Sequence, residues 1–558
     1  MNPMIRQAGL LLLLVGLVVW GQKRSGAYED EFGAHPDEAA HFVSALMIRD
    51  YFVQLATGGE EEVTHPLEFA KNFHEHYPKV AIGNWPPGFH TLQALWMLAF
   101  KPGQQSIFTL MAILTAGLGW LVYWSSRKHL GDSWALAAAV LLMVLPIMQK
   151  YSSLVMTEVL MGLLVYGSLL IYTRYLEDGH WKWSLFFGIL ASCAIMVKGS
   201  GLVLGLVPPL SILFLKRWEL LKKPAFWFPA LIVGAVGYPW YKFTMVDAVD
   251  GFAGDSPSIS FFAKALAYNV NKLVETGGPV FLLCIAWALA SLAKKKPDQD
   301  QSTRQPNLYF PMLGILFLAV PLLHCIVPAG MEHRHLIPML PAFVVFTAYG
   351  MKGLLEWIAK EKPKVSQKKA AWILVGVGLA GMFSSAKEPV YNKGYSGFRQ
   401  VVEELYKVED WPGPVLISSD ASGEGMFVAE AALADDHRAT SRKVVRATKA
   451  LGKSKWSGKE YIPLYEGQAG LRELLKEGKY WAIVIDGAVK KQRPDNYGKF
   501  QHMRELEELC QELEFAERFT IRRGNTAYEG DLILYRSPRF TDFSELDEEV
   551  PEEPKAEE

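Results

Sequence analysis

The amino-acid sequence predicts a polytopic α-helical membrane protein of about eleven spans followed by a soluble α/β domain, and three observations carry that reading. Half of the 558 residues are apolar and only 21% are charged. Residues 105–357 run as successive apolar blocks separated by short charged or Gly/Pro-bearing connections, where a soluble chain would interleave its charges. From about residue 386 the pattern changes to short apolar runs alternating with amphipathic helical stretches.

A helix needs about 20 residues to cross a hydrocarbon core of about 30 Å. The run Leu10 to Trp20, behind Arg6, has the length of a signal-peptide core, but its flank Gln22-Lys23-Arg24 is a poor cleavage site, so it reads as an uncleaved first span. Further spans are expected near 105–125, 132–149, 154–175, 181–197, 199–216, 224–241, 277–293, 309–327, 336–357 and 370–385. The stretch Gly88 to Phe100 is apolar but short and begins after Pro86-Pro87. Lying along the membrane surface, it leaves the loops with Arg127-Lys128, Arg174 and Lys182, Lys216-Arg217, Lys294-Lys295-Lys296 and Lys360 to Lys369 on the side of Arg6. That side is the cytoplasmic one, which places the C-terminus outside, in a membrane of the bacterial inner-membrane kind.

The expected organisation is therefore a membrane domain over 1–385, with a first outer loop at 21–104, and an outer α/β domain over 386–544. Strand-like runs in that domain are Val415 to Ser418, Ala482 to Ile485 and Leu532 to Tyr535, and helical stretches are Leu471 to Lys476 and His502 to Leu513. The acidic, Pro-containing tail 545–558 has a disordered composition. A formal net charge of −1 offers no basic face for nucleic acid. Cys193, Cys284 and Cys325 lie in apolar runs and Cys510 stands alone in the polar region, so no disulfide framework or Cys metal site follows. A transporter is the rival class, but the conspicuous charges gather at one face and no second similar half is visible. A membrane scaffold for the C-terminal domain is a further, non-catalytic alternative.

Residues that carry chemistry begin with His35-Pro36-Asp37-Glu38-Ala39-Ala40-His41-Phe42, just after the first span. Paired acids there also suit a helix N-terminus, where they offset the dipole and cap amides. Asn84-Trp85-Pro86-Pro87-Gly88-Phe89-His90 is a stiffened turn heading a helix. Glu158, Lys198 in Val197-Lys198-Gly199, and Glu332-His333-Arg334-His335 sit at the outer ends of spans, where charges are costly unless they pair or line a polar cavity. Acids beside cations at a membrane face suit a reaction with a lipid-phosphate donor. A carboxylate takes the proton of an attacking hydroxyl or amine, and Lys or Arg neutralises the departing phosphate. His74-Glu75-His76, whose i, i+2 histidines suit one strand face, and Asp30 with Asp37 are weaker candidates for a divalent cation, as in some members of such enzyme families. Asp420-Ala421-Ser422-Gly423-Glu424-Gly425 lacks the third glycine of a dinucleotide loop and reads as a strand-to-helix turn.

Taken together, the acid pair, the Pro-Pro turn, Thr157-Glu158, Lys198-Gly199 and the run Arg334 to Pro341 resemble the GT-C glycosyltransferases over roughly residues 5–357. The nearest branch is that of the protein O-mannosyltransferases and the lipid A aminoarabinose transferase. The resemblance implies a polyprenyl-phosphate sugar as donor, an acceptor that is protein, lipid or polysaccharide, and Asp37 as catalytic base with Glu38 beside it. It further implies Arg334, Lys198, His333 and His335 at the donor phosphate, with His41, Trp85, His90 and Glu158 as candidates for the substrate cavity. The family commonly has His-Pro-Pro where this chain has Trp85-Pro86-Pro87, and Arg-Tyr where it has Arg334-His335.

Overall fold

The computed structural model describes residues 3–536 apart from 59–64, 81–82, 84, 253–256, 295–306, 329, 363, 365, 437–441, 454–459, 512–515 and 525. The acidic tail 545–558, Asn84, Lys295 and Lys296 lie outside the described residues. The chain divides into two compact units, residues 1–28 with 83–392 and residues 29–82 with 393–558. This differs from the expected division in two respects, the first being that the helical unit runs to Asn392 rather than to 385. Second, the segment 29–82, read from sequence as a loop of the membrane domain, folds with the C-terminal region.

The first unit is helical. Among the described residues six helices are long and apolar enough to cross a membrane: Ile5–Arg24, Gln104–Leu130, Glu158–Asp178, Ile259–Lys294, Tyr309–Ile326 and His333–Glu361. The bent pair Asp132–Val144 and Pro146–Ser152 adds a seventh if it counts as one span. Each of the eleven expected spans falls on helix, and several of these helices break. Leu145 precedes proline and is pushed to extended geometry (φ −57°, ψ 128°), which turns the two helices by 63°. Trp181–Val197 stops at Lys198, and Gly199–Leu215 begins as a 3₁₀ turn, so both stay short. Gly88–Ala99 has 12 residues, about 18 Å at 1.5 Å per residue, well short of the hydrocarbon core. The long Ile259–Lys294 helix is interrupted at Gly278 (φ 66°), where a Cβ would lie 2.5 Å from the Gly381 carbonyl oxygen. Leu231, Phe243, Leu283 and Trp372 are exposed, as lipid-facing positions of such helices are.

The second unit is α/β. Its strands are β1 (Tyr395–Ser396), β2 (Val415–Ser418), β3 (Val444–Arg446), β4 (Gly452–Lys453), β5 (Ile462–Pro463), β6 (Ala482–Asp486), β7 (Ala516–Arg523) and β8 (Glu529–Arg536). Six form one sheet in the order β1-β7-β8-β6-β2-β3, parallel across β3, β2 and β6 and antiparallel from β6 outward, and β4 and β5 form a separate ladder. The central β2 and β6 are buried throughout, as expected of continuous apolar runs between parallel neighbours. Leu416, Ile483, Ile485, Leu471, Leu475, Leu506, Leu509 and Ile533 make one core. Cys510 is buried in it.

Asp420 ends the β2 connection as a helix cap, its Oδ1 accepting from the Ser422 and Gly423 amides at 3.2 and 3.0 Å, as the strand-to-helix reading expects. The glycines after it permit close packing. A Cβ on Gly425 would stand 3.2 Å from the Ala39 Cβ and 2.8 Å from the Lys79 Cε, so the helix Ala421–Ala434 lies directly against the helix Pro36–Thr57.

Candidate functional site

In the first unit, three turns converge on one carboxylate. Lys198 is held at the end of the helix Trp181–Val197, Glu158 opens the helix Glu158–Asp178, and Arg334 lies in the 3₁₀ turn His333–Met339. The Lys198 Nζ lies 2.6 Å from Glu158 Oε1, and the Arg334 Nε lies 3.4 Å from the same oxygen and 2.8 Å from Glu332 Oε2. Glu158, Lys198, Ser200, Arg334 and His335 line a narrow cleft together with Met161 and Pro338. Glu158 Oε2 and His335 Nδ1 are buried without a hydrogen-bond partner among the described residues. The His335 ring stacks on His324 at 4.6 Å. His333 is directed elsewhere: its Nε2 meets Thr276 Oγ1 at 2.8 Å and its Nδ1 lies 3.7 Å from Glu275.

The Pro-Pro turn is tied to this cleft through Gly88. A Cβ there would lie 2.7 Å from the Met196 carbonyl oxygen, two residues before Lys198, so the turn rests on the backbone that presents the lysine. Gly88→Ala is expected to cost about 1–3 kcal/mol of stability through overpacking, read as a lower melting temperature. Unchanged melting would show that the turn can shift. Trp85 packs its ring 6.4 Å from that of His90, and burial pushes His90 down to about 4, so its imidazole is neutral at pH 7.

Asp37 and Glu38 belong to the second unit, in the first turn of the helix Pro36–Thr57. The helix starts there because Pro36 presets φ at the first helical position and the His35 ring caps it, Nδ1 accepting from the Asp37 amide at 3.1 Å. His41, also buried, lies one turn on and on the face of Asp37. Glu38 has a different environment from its neighbour. Its Oε1 pairs with the Lys393 ammonium at 2.7 Å, both side chains fully buried, and its Oε2 accepts from the Ala34 amide at 3.2 Å.

The remaining acids of this segment are likewise bound to the region after 392. Asp30 Oδ2 accepts from the Gly394 amide at 2.6 Å and its Oδ1 lies 3.4 Å from Arg522. Glu31 accepts from the amides of Gly397, Phe398 and Arg399 at 2.9, 3.2 and 2.9 Å, capping the helix Phe398–Leu405, while burial and the nearby Glu430 push it up to about 8. Asp30 thus accepts from a backbone amide and pairs with an arginine. His74 and His76 lie on the helix Pro66–His76, not on a strand, so two positions of helix turn them to different sides. Among the described residues no group of three or more His, Cys, Asp or Glu forms a metal cluster.

Sequence reasoning missed Lys79. Its Nζ donates to the Ala421 carbonyl at 2.9 Å, and burial with the neighbouring Arg446 pushes it down to about 7 against the opposing pull of Glu424, Asp37 and Asp420. Tyr77-Pro78-Lys79 reads locally as a loop, and only the fold brings the lysine to the start of the helix Ala421–Ala434.

Comparison with known proteins gives a consistent picture. The family model described as dolichyl-phosphate-mannose-protein mannosyltransferase matches residues 84–241, which contain Trp85, Glu158 and Lys198. Among curated proteins no sequence match is found. The fold is similar to that of ArnT from Cupriavidus metallidurans in the apo state, with a TM-score of 0.55 at 12% identity over 94% of this chain and 98% of that one. The same protein bound to undecaprenyl phosphate aligns at a TM-score of 0.54 and 11% identity, again over 94% and 98% of the two chains. The archaeal oligosaccharyltransferase AglB from Archaeoglobus fulgidus, in complex with an inhibitory peptide and a dolichol-phosphate, aligns at 0.52 and 11% over 93% of this chain and 74% of its own. At such identities the likeness is one of fold.

Proposed function

The chain has the fold of the GT-C membrane glycosyltransferases, and on that premise we propose that it transfers a sugar from a polyprenyl-phosphate carrier to an acceptor outside the cytoplasm. The acceptor oxygen or nitrogen attacks the anomeric carbon as its proton passes to Asp37. The bond from that carbon to the phosphate oxygen breaks, and the polyprenyl phosphate departs with the electron pair. One displacement of this kind inverts the anomeric centre. Arg334 and Lys198 stabilise the departing phosphate, which leaves as an anion and needs no proton donor. The acceptor is a protein, a lipid or a polysaccharide, and the setting is the bacterial inner membrane with the N-terminus cytoplasmic and residues 393–536 outside.

The observation that carries this reading is the convergence of Lys198 and Arg334, from separate turns at the ends of apolar helices, on one lined cleft. Cations so close to hydrocarbon are retained where an anion uses them. Structures of this fold that hold undecaprenyl phosphate and dolichol-phosphate support a polyprenyl carrier. The test is release of polyprenyl phosphate and sugar transfer by the purified protein given a polyprenyl-phosphate sugar. Arg334→Ala is expected to lose roughly one to two decades of rate, since a charge-assisted contact to phosphate contributes about 1.5–3 kcal/mol. Wild-type rates in correctly inserted Arg334→Ala protein would reduce the residue to an interface anchor.

A further inference from the structure

The charges around the cleft balance before any substrate arrives. Lys198 and Arg334 bring two positive charges, and Glu158 and Glu332 bring two negative ones within 4 Å of them. A site meant only to hold phosphate tightly would leave its cations uncompensated. Here Glu158 sits between both cations with only 3% of its surface exposed, and its Oε2 is buried without a hydrogen-bond partner among the described residues. A carboxylate oxygen accepts hydrogen bonds and donates none. It is therefore satisfied by a ligand that brings hydroxyl or amine protons, and it repels one that brings only phosphate oxygens.

Substrate and product differ in this respect. The donor is a phosphodiester with one negative charge and a sugar rich in hydroxyls. The product is a phosphomonoester, mostly a dianion at neutral pH because its second ionisation lies near pH 6, and it has lost the sugar. Resting on the assignment of this cleft to the lipid phosphate, we propose that Glu158 is the product-release residue. Its carboxylate tolerates the sugar-bearing donor and expels the polyprenyl phosphate left after transfer. The two cations lower the transition state as charge develops on the leaving oxygen, and Glu158 prevents them from trapping what they helped to release.

The experiment measures binding of polyprenyl phosphate and of its methyl phosphodiester, a monoanion without sugar, to the full-length protein in lipid nanodiscs, and it measures steady-state turnover. In the wild type the monoanionic ester is expected to bind at least as tightly as the dianionic phosphate, the reverse of the order two uncompensated cations would give. In Glu158→Gln the amide still accepts from Lys198 but now donates into the cleft. Affinity for polyprenyl phosphate is expected to rise about tenfold, that for the ester less than about threefold, and kcat to fall as release becomes limiting, with a burst of first-turnover product. Glu332→Gln removes the same charge from outside the cleft lining and is expected to tighten both ligands alike.

A Glu158→Gln protein that melts normally and binds both ligands as before, or more weakly, overturns the proposal and makes Glu158 a strut for the cations. Selective tightening in Glu332→Gln would also overturn it, by assigning the effect to bulk charge. Should Glu158→Gln fail to accumulate, the wild-type comparison decides, since a wild type that prefers the dianion by about tenfold or more excludes expulsion. If neither ligand binds the wild type, the assignment of the cleft to phosphate falls and Glu158 falls with it.

Discussion

Asp37→Asn is expected to fold and melt like the wild-type protein while losing about two to four decades of sugar-transfer rate. The substitution keeps the shape of the side chain and its place in the first turn of the helix Pro36–Thr57. The cap of that helix comes from His35, whose ring accepts from the backbone amide of residue 37 and does not depend on the side chain there. An acid that served only to offset the helix dipole would cost typically about 0.3–1 kcal/mol when neutralised, a modest change in melting and none in chemistry. A base cannot be replaced by an amide, which has no site for the acceptor's proton at neutral pH. Initial rates with a polyprenyl-phosphate sugar in detergent, normalised to folded protein, separate the two roles. Activity within a few-fold of wild type would refute Asp37 as the base.

Glu38→Gln is expected to act on folding instead. Glu38 and Lys393 form an ion pair with no exposed side-chain surface, and the ring of Phe32 lies 5.3 Å from the ammonium. Removing one partner leaves Lys393 charged and buried, at a cost of about 3–5 kcal/mol, large against the stability of an ordinary domain. Melting temperature and yield of folded protein should both fall. Combining Glu38→Gln with Lys393→Met removes the stranded charge, and the amide oxygen introduced at position 38 can still accept from the Ala34 amide, so the double variant is expected to recover most of the loss. The double variant is then the fair control for Asp37, since a neutral position 38 in a folded protein reports on chemistry alone. A single variant as stable as wild type would show that Lys393 finds another partner.

These two neighbours show what a linear reading can distinguish. Adjacent acids behind a proline look alike in sequence, and the resemblance to GT-C enzymes favoured the first on analogy. The fold separates them physically. Glu38 is consumed by a buried lysine 355 positions away, while Asp37, in the same turn, keeps about 9% of its area exposed. The same distance effect hid the unit boundary. Asp30 and Glu31 read as part of an acidic loop, yet their partners are backbone amides of residues 394–399, which no local pattern announces.

What the sequence by itself determined is what local chemistry controls. Apolar runs placed the helices, and continuous apolar segments of four or five residues placed β2 and β6. Costly charges at helix ends picked out Glu158, Lys198 and Arg334, because burial near hydrocarbon penalises each of them wherever the rest of the chain lies. Tertiary structure alone decided how those charges pair, since Lys198 and Arg334 meet Glu158 only when three turns come together. It also decided which helices reach spanning length, that Gly88 has no room for a side chain, and that Lys79 reaches the Ala421 carbonyl. Hydropathy and turn propensity belong to a segment, whereas a salt bridge, a backbone clearance and a residue's field belong to the contacts that segment makes.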